Sequence, residues 1–234
     1  MEKKKEPKET SKKATPYVMF RWGPCLIKFQ ISENNRKAFL EEARLSTKDW
    51  SRHLAGVGIK EVAFRDYTKF EKFFSSAFEI YNEAFTSKKK WTGSKWTDSK
   101  DEDNERYQLN ALWCNFQRPG DFNPPHDHAD TLSFVIFLDV PDKLVEENKA
   151  YKGRSAGPGG ITFGYGDGTR EAVTHHSFIP KAGDMYIFPA WLKHWVYPFK
   201  SDCTRISVSG NVVNAVKIKN LKVDTLKNER CPHN

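Results

Sequence analysis

The sequence predicts a mainly β fold with flanking helices, in the form of a jelly-roll or barrel-like sandwich, and two patterns carry this prediction. From residue 107 onward, short apolar runs alternate with turns rich in glycine and proline, which is typical of stacked sheets. Between residues 66 and 85, aromatic side chains recur every three or four positions, which is the spacing of one helix face. With 234 residues, 14% of them aromatic, the chain is long enough to form one domain with a substantial core.

The front end of the domain is expected to contain two strands and two helices. Residues 17–22 and 25–31 are predicted strands, separated by a Gly-Pro turn. Ser32 is the predicted N-cap of a helix that runs to about Leu45. The second helix, about residues 66–85, is expected to lie with its aromatic stripe against the outer face of a sheet.

The β core is expected to follow a connecting segment, residues 91–100. This segment contains two near-identical pentapeptides that begin at Trp91 and Trp96, and its Gly, Ser and mixed charge indicate a surface loop, with a lid over a substrate as the alternative. The expected core strands are residues 107–117, 132–140, 160–163, 185–189, 195–199 and 205–213.

The formal charge of +8 lies mainly in two tails. Residues 1–13 carry six Lys against three Glu, and residues 215–234 carry five Lys or Arg against two acids, so that each contributes +3 and about +2 remains for the body. This distribution does not indicate a basic groove, and we expect nucleic-acid contact to be weak and confined to the tails. The predicted organisation is a disordered basic tail over 1–16, a single domain over 17–214 with a helical front end about 32–85 and a β core about 107–214, and a basic tail over 215–234.

The cysteines and the hydropathy pattern predict a cytoplasmic, soluble protein. The four cysteines are scattered and form no CxxC pair, which suits a reducing compartment. No secretory signal and no apolar run near eighteen residues is present, so no membrane contact is expected. The sequence carries no signal for oligomeric state.

A row of potential metal ligands precedes the apolar run at residues 132–140. His126, His128 and Asp130 alternate in sequence, and in an extended chain alternate side chains point to one side. His194 follows about seventy residues later, and Arg205 lies about one strand beyond it. Two early ligands, a distant histidine and an arginine together indicate a non-haem iron site with a neighbouring cation that binds an acid.

The arginine suits a co-substrate that carries a carboxylate. A two-histidine, one-carboxylate set binds one face of Fe(II) and leaves the other face open for a bidentate co-substrate and O2. In enzymes that use 2-oxoglutarate, the far carboxylate needs a fixed cation, and an arginine makes a bidentate pair with it and stays ionised when partly buried. Ser207 lies on the same strand face as Arg205, so that its hydroxyl can join the guanidinium.

The chain resembles the 2-oxoglutarate/Fe(II) oxygenases found among phages and bacteria, a branch of the prolyl-hydroxylase-like superfamily. The resemblance covers about residues 107–214 and implies a double-stranded β-helix core, Fe(II), 2-oxoglutarate and O2, with succinate and CO2 as co-products. A tyrosine that is common in the family is replaced in the run Ser133-Phe134-Val135-Ile136-Phe137, so Asn115 or Tyr107 would have to substitute for it in binding 2-oxoglutarate. The matching positions are Trp113, Asn115, Gly120 to Asn123, His126, His128, Ser133, Phe188 to Pro198, Arg205, Ser207 and Asn211.

Bare spacing and the resemblance favour different metal ligands. His128 and Asp130 form the familiar His-x-Asp pair, which would join His194. In the related hydroxylases the first ligand lies about six residues past a turn glycine, which from Gly120 selects His126. The preferred set is therefore His126, His128 and His194, with Asp130 as a fourth or replacement ligand.

The predicted function is an Fe(II)- and 2-oxoglutarate-dependent oxygenase, a dioxygenase that hydroxylates a substrate the sequence does not identify. The candidates for this substrate are a protein side chain, a nucleobase and a small metabolite. The alternatives are a cupin-like metal-binding protein without redox turnover and a non-catalytic interaction module with a basic tail.

Overall fold

The computed structural model describes residues 16–21, 23–85, 89–92, 95–98, 107–166 and 173–214. Its strands are β1 Tyr17–Arg21, β2 Cys25–Gln30, β3 Lys60–Ala63, β4 Lys89–Thr92, β5 Lys95–Asp98, β6 Tyr107–Gln117, β7 Asn123–His126, β8 Leu132–Asp139, β9 Ile161–Gly164, β10 His175–Phe178, β11 Asp184–Pro189, β12 Lys193–Val196 and β13 Arg205–Asn214. The helices are α1 Glu33–Leu45, α2 Glu71–Phe85 and α3 Asp142–Ala150, with short 3-10 helices at Ser51–His53 and Thr68–Phe70.

Two antiparallel sheets form the core. The larger sheet has seven strands in the order β1-β2-β11-β8-β13-β6-β3, and the smaller has four in the order β10-β9-β12-β7. Apolar side chains of β8 and β11 meet those of β9 and β12 in one buried cluster, so the sheets face each other. The predicted mainly β sandwich with flanking helices, a jelly roll, is confirmed.

Helices α1 and α2 cover the outer face of the larger sheet. Ser32 caps α1, where its Oγ accepts a hydrogen bond from the backbone N–H of Asn35 at 3.2 Å. Phe74 and Phe78 of α2 contact Phe134 of β8 with ring centroids 5.2 and 5.8 Å apart. Both predicted helices are therefore confirmed, and the aromatic stripe packs on the sheet as expected.

The second helix begins later than the sequence predicted. Asp66, the expected start, accepts a hydrogen bond from the backbone N–H of Thr68 at 2.9 Å, and the chain then makes a 3-10 turn before α2 begins at Glu71. An aspartate side chain that bonds the backbone two residues on stabilises such a turn in place of the first helical turn.

Several strands differ from the prediction. The short strands β3, β7 and β10 were not predicted, and β12 ends at Val196, so the expected strand over residues 195–199 is wrong in its bounds. Pro198 has no backbone N–H to continue a ladder. The predicted loop over residues 91–100 contains most of the hairpin β4–β5, in which Trp91 pairs with Trp96; the rest of that range, and the predicted tails, lie outside the described residues.

No helix in the described part of the chain is both long and apolar enough to cross a membrane.

Candidate active site

Three histidines come together at one end of the smaller sheet. His126 at the end of β7 pairs in register with His194 on β12, and their ring centroids lie 4.2 Å apart. His128 lies in the bend after β7, with its ring 5.1 Å from His126 and 5.3 Å from His194. One ligand atom from each of the three residues lies within 4.8 Å of the others. The sheet register, rather than one extended strand, therefore assembles the cluster.

Backbone carbonyls orient two of these rings. His126 Nδ1 donates to the carbonyl of Pro124 at 2.7 Å, and His194 Nδ1 donates to the carbonyl of Leu192 at 2.9 Å. Because a carbonyl can only accept, both Nδ1 atoms carry the proton, and both Nε2 atoms are left as acceptors. A metal-binding histidine has this arrangement, with its second nitrogen held by a hydrogen bond.

The surroundings keep the three imidazoles neutral. Burial lowers the pKa of His126, lowers that of His128 to about 4, and lowers that of His194 well below its usual 6.5. The neighbouring histidines lower the pKa values of His128 and His194 further, because two imidazolium ions would repel each other. A histidine must be neutral to bind a metal, so the cluster is in its ligand form at pH 7.

Asp130 lies outside this cluster. Its Oδ1 accepts a hydrogen bond from Asn110 Nδ2 at 3.0 Å, and it is not among the His, Cys and acidic residues of the described chain that group closely enough to share an ion. The expected row of His126, His128 and Asp130 on one extended segment is therefore not what forms, because the chain bends between β7 and β8.

Arg205 is buried at the start of β13 with one donor unused. Its side chain is 3% exposed, Nη1 donates to the carbonyl of Gly159 at 2.6 Å, and its guanidinium carbon lies 4.9 Å from the centre of the Phe137 ring. Its Nε is buried without a hydrogen-bond partner. Burial lowers the pKa of Arg205 to about 9, so the group still carries its charge at pH 7. A buried guanidinium with a free donor is a site for an anion.

Asn115 holds two serine hydroxyls beside this arginine. Its Nδ2 donates to Ser207 Oγ at 3.3 Å and to Ser209 Oγ at 3.0 Å, while its Oδ1 accepts from Trp113 Nε1 at 3.1 Å. Each serine accepts from Asn115 and so keeps its own O–H for another acceptor. Ser207 can therefore donate to an anion next to Arg205, whereas Asn115 serves to position the hydroxyls.

Tyr107 lies away from the cleft that these residues line. It is eight residues before Asn115 on β6, about 26 Å at the rise of a strand, and its ring contacts Phe78 of α2 at 6.3 Å. In the pairing of β6 with β13, Leu109 and Ala111 have partners on consecutive residues of β13, and Asn110 between them has none. This bulge changes the face on which the side chains before it, including that of Tyr107, lie relative to the rest of β6. Tyr107 therefore packs with the helices, and of the two expected substitutes only Asn115 lines the cleft.

The cleft between the sheets joins the histidines to Arg205 and contains three further polar residues, two of which the sequence did not indicate. It encloses about 630 Å³, including space open to solvent, and Glu61, Gln117 and Asn123 line it with the histidine cluster and Arg205. Each of the three has a buried oxygen without a hydrogen-bond partner. Burial, with a smaller contribution from the charge of Asp49, raises the pKa of Glu61 to about 7. Asn123 belongs to the stretch Gly120 to Asn123 that carried the family resemblance, whereas no spacing or motif marks Glu61 and Gln117, which reach the cleft through sheet pairing.

The donor set of this cleft fits a divalent transition metal and a dicarboxylate. Three neutral imidazoles suit iron and its neighbours among the first-row metals. The unused Nε of Arg205 and the Ser207 hydroxyl suit a carboxylate in the same cleft.

Comparison with known proteins agrees with this chemistry. Residues 111–211 match the sequence pattern of the family described as "Putative 2OG-Fe(II) oxygenase". This range contains the three histidines, Arg205 and Ser207. No curated protein sequence matches the chain.

Several solved structures share the fold at low sequence identity. The α-ketoglutarate-dependent epimerase SnoN from nogalamycin biosynthesis is 16% identical, with a TM-score of 0.53 over 81% of this chain and 76% of its own. A prolyl hydroxylase from Trichoplax adhaerens is 10% identical, with a TM-score of 0.52 over 86% and 87%. HygX from Streptomyces hygroscopicus, solved with nickel, 2-oxoglutarate and hygromycin B, is 8% identical, with a TM-score of 0.52 over 81% and 83%. At these identities the likeness establishes the fold.

The sequence match, the fold and the histidine cluster agree with one another. Over residues 111–211 this chain is similar to the family described as putative 2OG-Fe(II) oxygenases, and its described residues share the fold of the α-ketoglutarate-dependent epimerase SnoN and bring together three histidines that could hold a metal ion.

Proposed function

We propose that this protein is a hydroxylase in which His126, His128 and His194 hold Fe(II) and Arg205 binds the far carboxylate of 2-oxoglutarate. The observation that carries the proposal is the buried Arg205, whose Nε has no partner, in the same cleft as the three neutral histidines. A buried donor of this kind costs free energy unless a ligand satisfies it. The cupin-like alternative gives this arginine no role.

The ligand set determines how charge is balanced in the cleft. Three histidines bring no negative charge to a divalent ion, unlike a set that includes Asp130. The dianion of 2-oxoglutarate would supply the missing negative charge, with one carboxylate on the side of the histidines and the other on Arg205. Metal and co-substrate are therefore expected to strengthen each other's binding.

The chain's own residues orient the co-substrate and fix the ligand nitrogens. Ser207 donates its hydroxyl to the carboxylate that Arg205 binds, and Asn115 holds that hydroxyl in place through its 3.3 Å hydrogen bond. Pro124 and Leu192 carbonyls hold the rings of His126 and His194. Iron, when bound, supplies the oxidation that converts 2-oxoglutarate and O2 to succinate and CO2 and adds one oxygen atom to the substrate.

Succinate formation tests this proposal. Purified protein with Fe(II), ascorbate and 2-oxoglutarate is expected to release succinate slowly even without its substrate, and the His126→Ala variant and metal-free protein serve as controls. Metal binding without succinate would support the cupin-like alternative. If neither succinate nor binding of 2-oxoglutarate to Mn(II)-loaded protein is detected, the interaction-module alternative gains and the oxygenase function is wrong.

A further inference from the structure

Three buried hydrogen-bond acceptors in the cleft lack a partner, and bound 2-oxoglutarate would not supply one. Among the described residues, four buried side-chain atoms lack hydrogen-bond partners: Glu61 Oε2, Gln117 Oε1, Asn123 Oδ1 and Arg205 Nε. All four residues line the cleft. On the proposed function, a carboxylate satisfies Arg205. The other three are acceptors, and 2-oxoglutarate as a dianion has no hydrogen to donate to them.

Glu61 is the ionisable member of this set and lies at the edge of the larger sheet. It is 1% exposed and pairs in register with Asn115 on β6. The backbone of the preceding loop lies directly against its carboxyl group, since a Cβ built on Gly56 would be 2.7 Å from Glu61 Oε1 and 2.8 Å from Oε2. This close approach buries the carboxyl while leaving it on the wall of the cleft.

The same loop brings Asn123 to the side of the cleft that Glu61 occupies. The backbone N–H of Val57 donates to the carbonyl of Phe122 at 2.9 Å, and the N–H of Phe122 donates to the carbonyl of Val57 at 3.2 Å. This bridge joins the loop before β3 to the start of β7. Apolar residues of the loop, among them Leu54 and Ile59, also line the cleft. The wall thus combines an apolar stretch with two oxygen acceptors.

The electrostatics of this wall favour a cation over a neutral donor. Burial and the nearby charge of Asp49 both raise the pKa of Glu61, which shows that the site disfavours the lone carboxylate. A neutral donor would satisfy the oxygen without offsetting the buried charge. An ammonium or guanidinium group would do both, and would make a charge-assisted hydrogen bond.

We propose that Glu61, with Asn123 beside it, binds a cationic group on the substrate, so that the substrate class is an aliphatic amine or guanidine. The inference rests on the proposed function for the placing of 2-oxoglutarate at Arg205. The apolar loop residues would then contact the aliphatic part of such a substrate. Glu61 is accordingly a specificity-determining residue.

A matched set of small probes tests this proposal. We would titrate n-butylammonium and n-butanol into protein loaded with Mn(II) and 2-oxoglutarate, with binding followed by the paramagnetic relaxation of the probe's protons. The same probes would be titrated into metal-free protein by saturation-transfer NMR. The variants are Glu61→Gln, which keeps the shape, and Glu41→Gln, which makes the same charge change at an exposed position on α1.

Wild type and Glu41→Gln are expected to bind n-butylammonium roughly tenfold to a hundredfold more tightly than Glu61→Gln does, which is the range for a charge-assisted hydrogen bond. n-Butanol should bind all three proteins equally weakly. Equal affinity of wild type for the two probes, or full retention of n-butylammonium by Glu61→Gln, would overturn the proposal. The wild-type comparison decides this even if the variant does not fold.

Binding of the metal and 2-oxoglutarate can be measured separately from recognition of a cation by Glu61. Calorimetry on the same samples measures binding of Mn(II) and 2-oxoglutarate. If those ligands do not bind, the oxygenase function is wrong, while the metal-free titration still measures the preference for a cation. If they bind and the probe shows no preference for a cation, only the assignment of Glu61 is wrong.

Discussion

Replacing Glu61 with glutamine should change how the stability of the fold depends on pH. The pKa of the Glu61 carboxyl rises from 4.5 to about 7 on folding, chiefly because the group is buried. Between these values the folded state holds a proton that the unfolded chain has lost, so the free energy of unfolding falls as pH rises. At about 1.4 kcal/mol for each pKa unit, the free energy of unfolding falls by roughly 3 kcal/mol in total as the pH rises from below 4.5 to above 7. Roughly 2 kcal/mol of this decrease lies between pH 5.5 and 8.5.

Urea unfolding of metal-free wild type and Glu61→Gln at pH 5.5, 7 and 8.5 measures this effect. The variant carries no ionisable group at this position, so wild type should lose roughly 2 kcal/mol relative to it between the lowest and the highest pH. The buried histidines, whose pKa values are lowered, cost both proteins stability below about pH 6.5, and that contribution cancels in the comparison. Parallel pH profiles for the two proteins would instead show that Glu61 is not a desolvated carboxyl with a raised pKa.

Four further predictions concern the metal, the co-substrate and the tails. In Mn(II) titrations, His126→Ala and His194→Ala should lose most of their affinity while Asp130→Ala weakens it mildly; the reverse order would assign the metal to the His-x-Asp pair. Since burial lowers the pKa of His128 to about 4, calorimetric Mn(II) affinity should be nearly constant from pH 8 to 6.5, and a steep fall there would contradict neutral ligands. Arg205→Ala should weaken 2-oxoglutarate binding by roughly 2–4 kcal/mol, about thirtyfold to a thousandfold, without changing metal affinity; equal loss of both would indicate a structural role. Deletion of both basic tails should leave metal binding intact and reduce retention on polyanion resins, and loss of metal binding would show that the tails contribute to the domain.

The features that the sequence predicted well are those with a local pattern. The cap at Ser32 and the aromatic spacing of α2 identify helices from neighbouring residues alone. The alternation of Arg205 and Ser207 on β13 identifies one face of a long strand, and both residues do line the cleft. The histidines were recognisable from their order along the chain.

The features that the sequence did not predict depend on pairing between distant strands. Glu61 lies on a four-residue edge strand with no distinctive pattern, and it reaches the cleft only because β3 pairs with β6. Tyr107 and Asn115 are eight residues apart on β6, so regular alternation would place them on one face, but the bulge at Asn110 changes the face of Tyr107. Strand periodicity therefore predicts which residues share a face only as far as the next irregularity in pairing.

The affinity for 2-oxoglutarate with and without Mn(II) tests whether the metal and the co-substrate share one site. Neutral histidine ligands leave a divalent ion uncompensated, so the dianion and the metal should each raise the other's affinity by the same factor. Calorimetry of wild type should therefore show strong metal dependence of 2-oxoglutarate binding, and the dependence should disappear in His194→Ala. Equal 2-oxoglutarate affinity with and without metal in wild type would contradict a single site formed by the three histidines and Arg205.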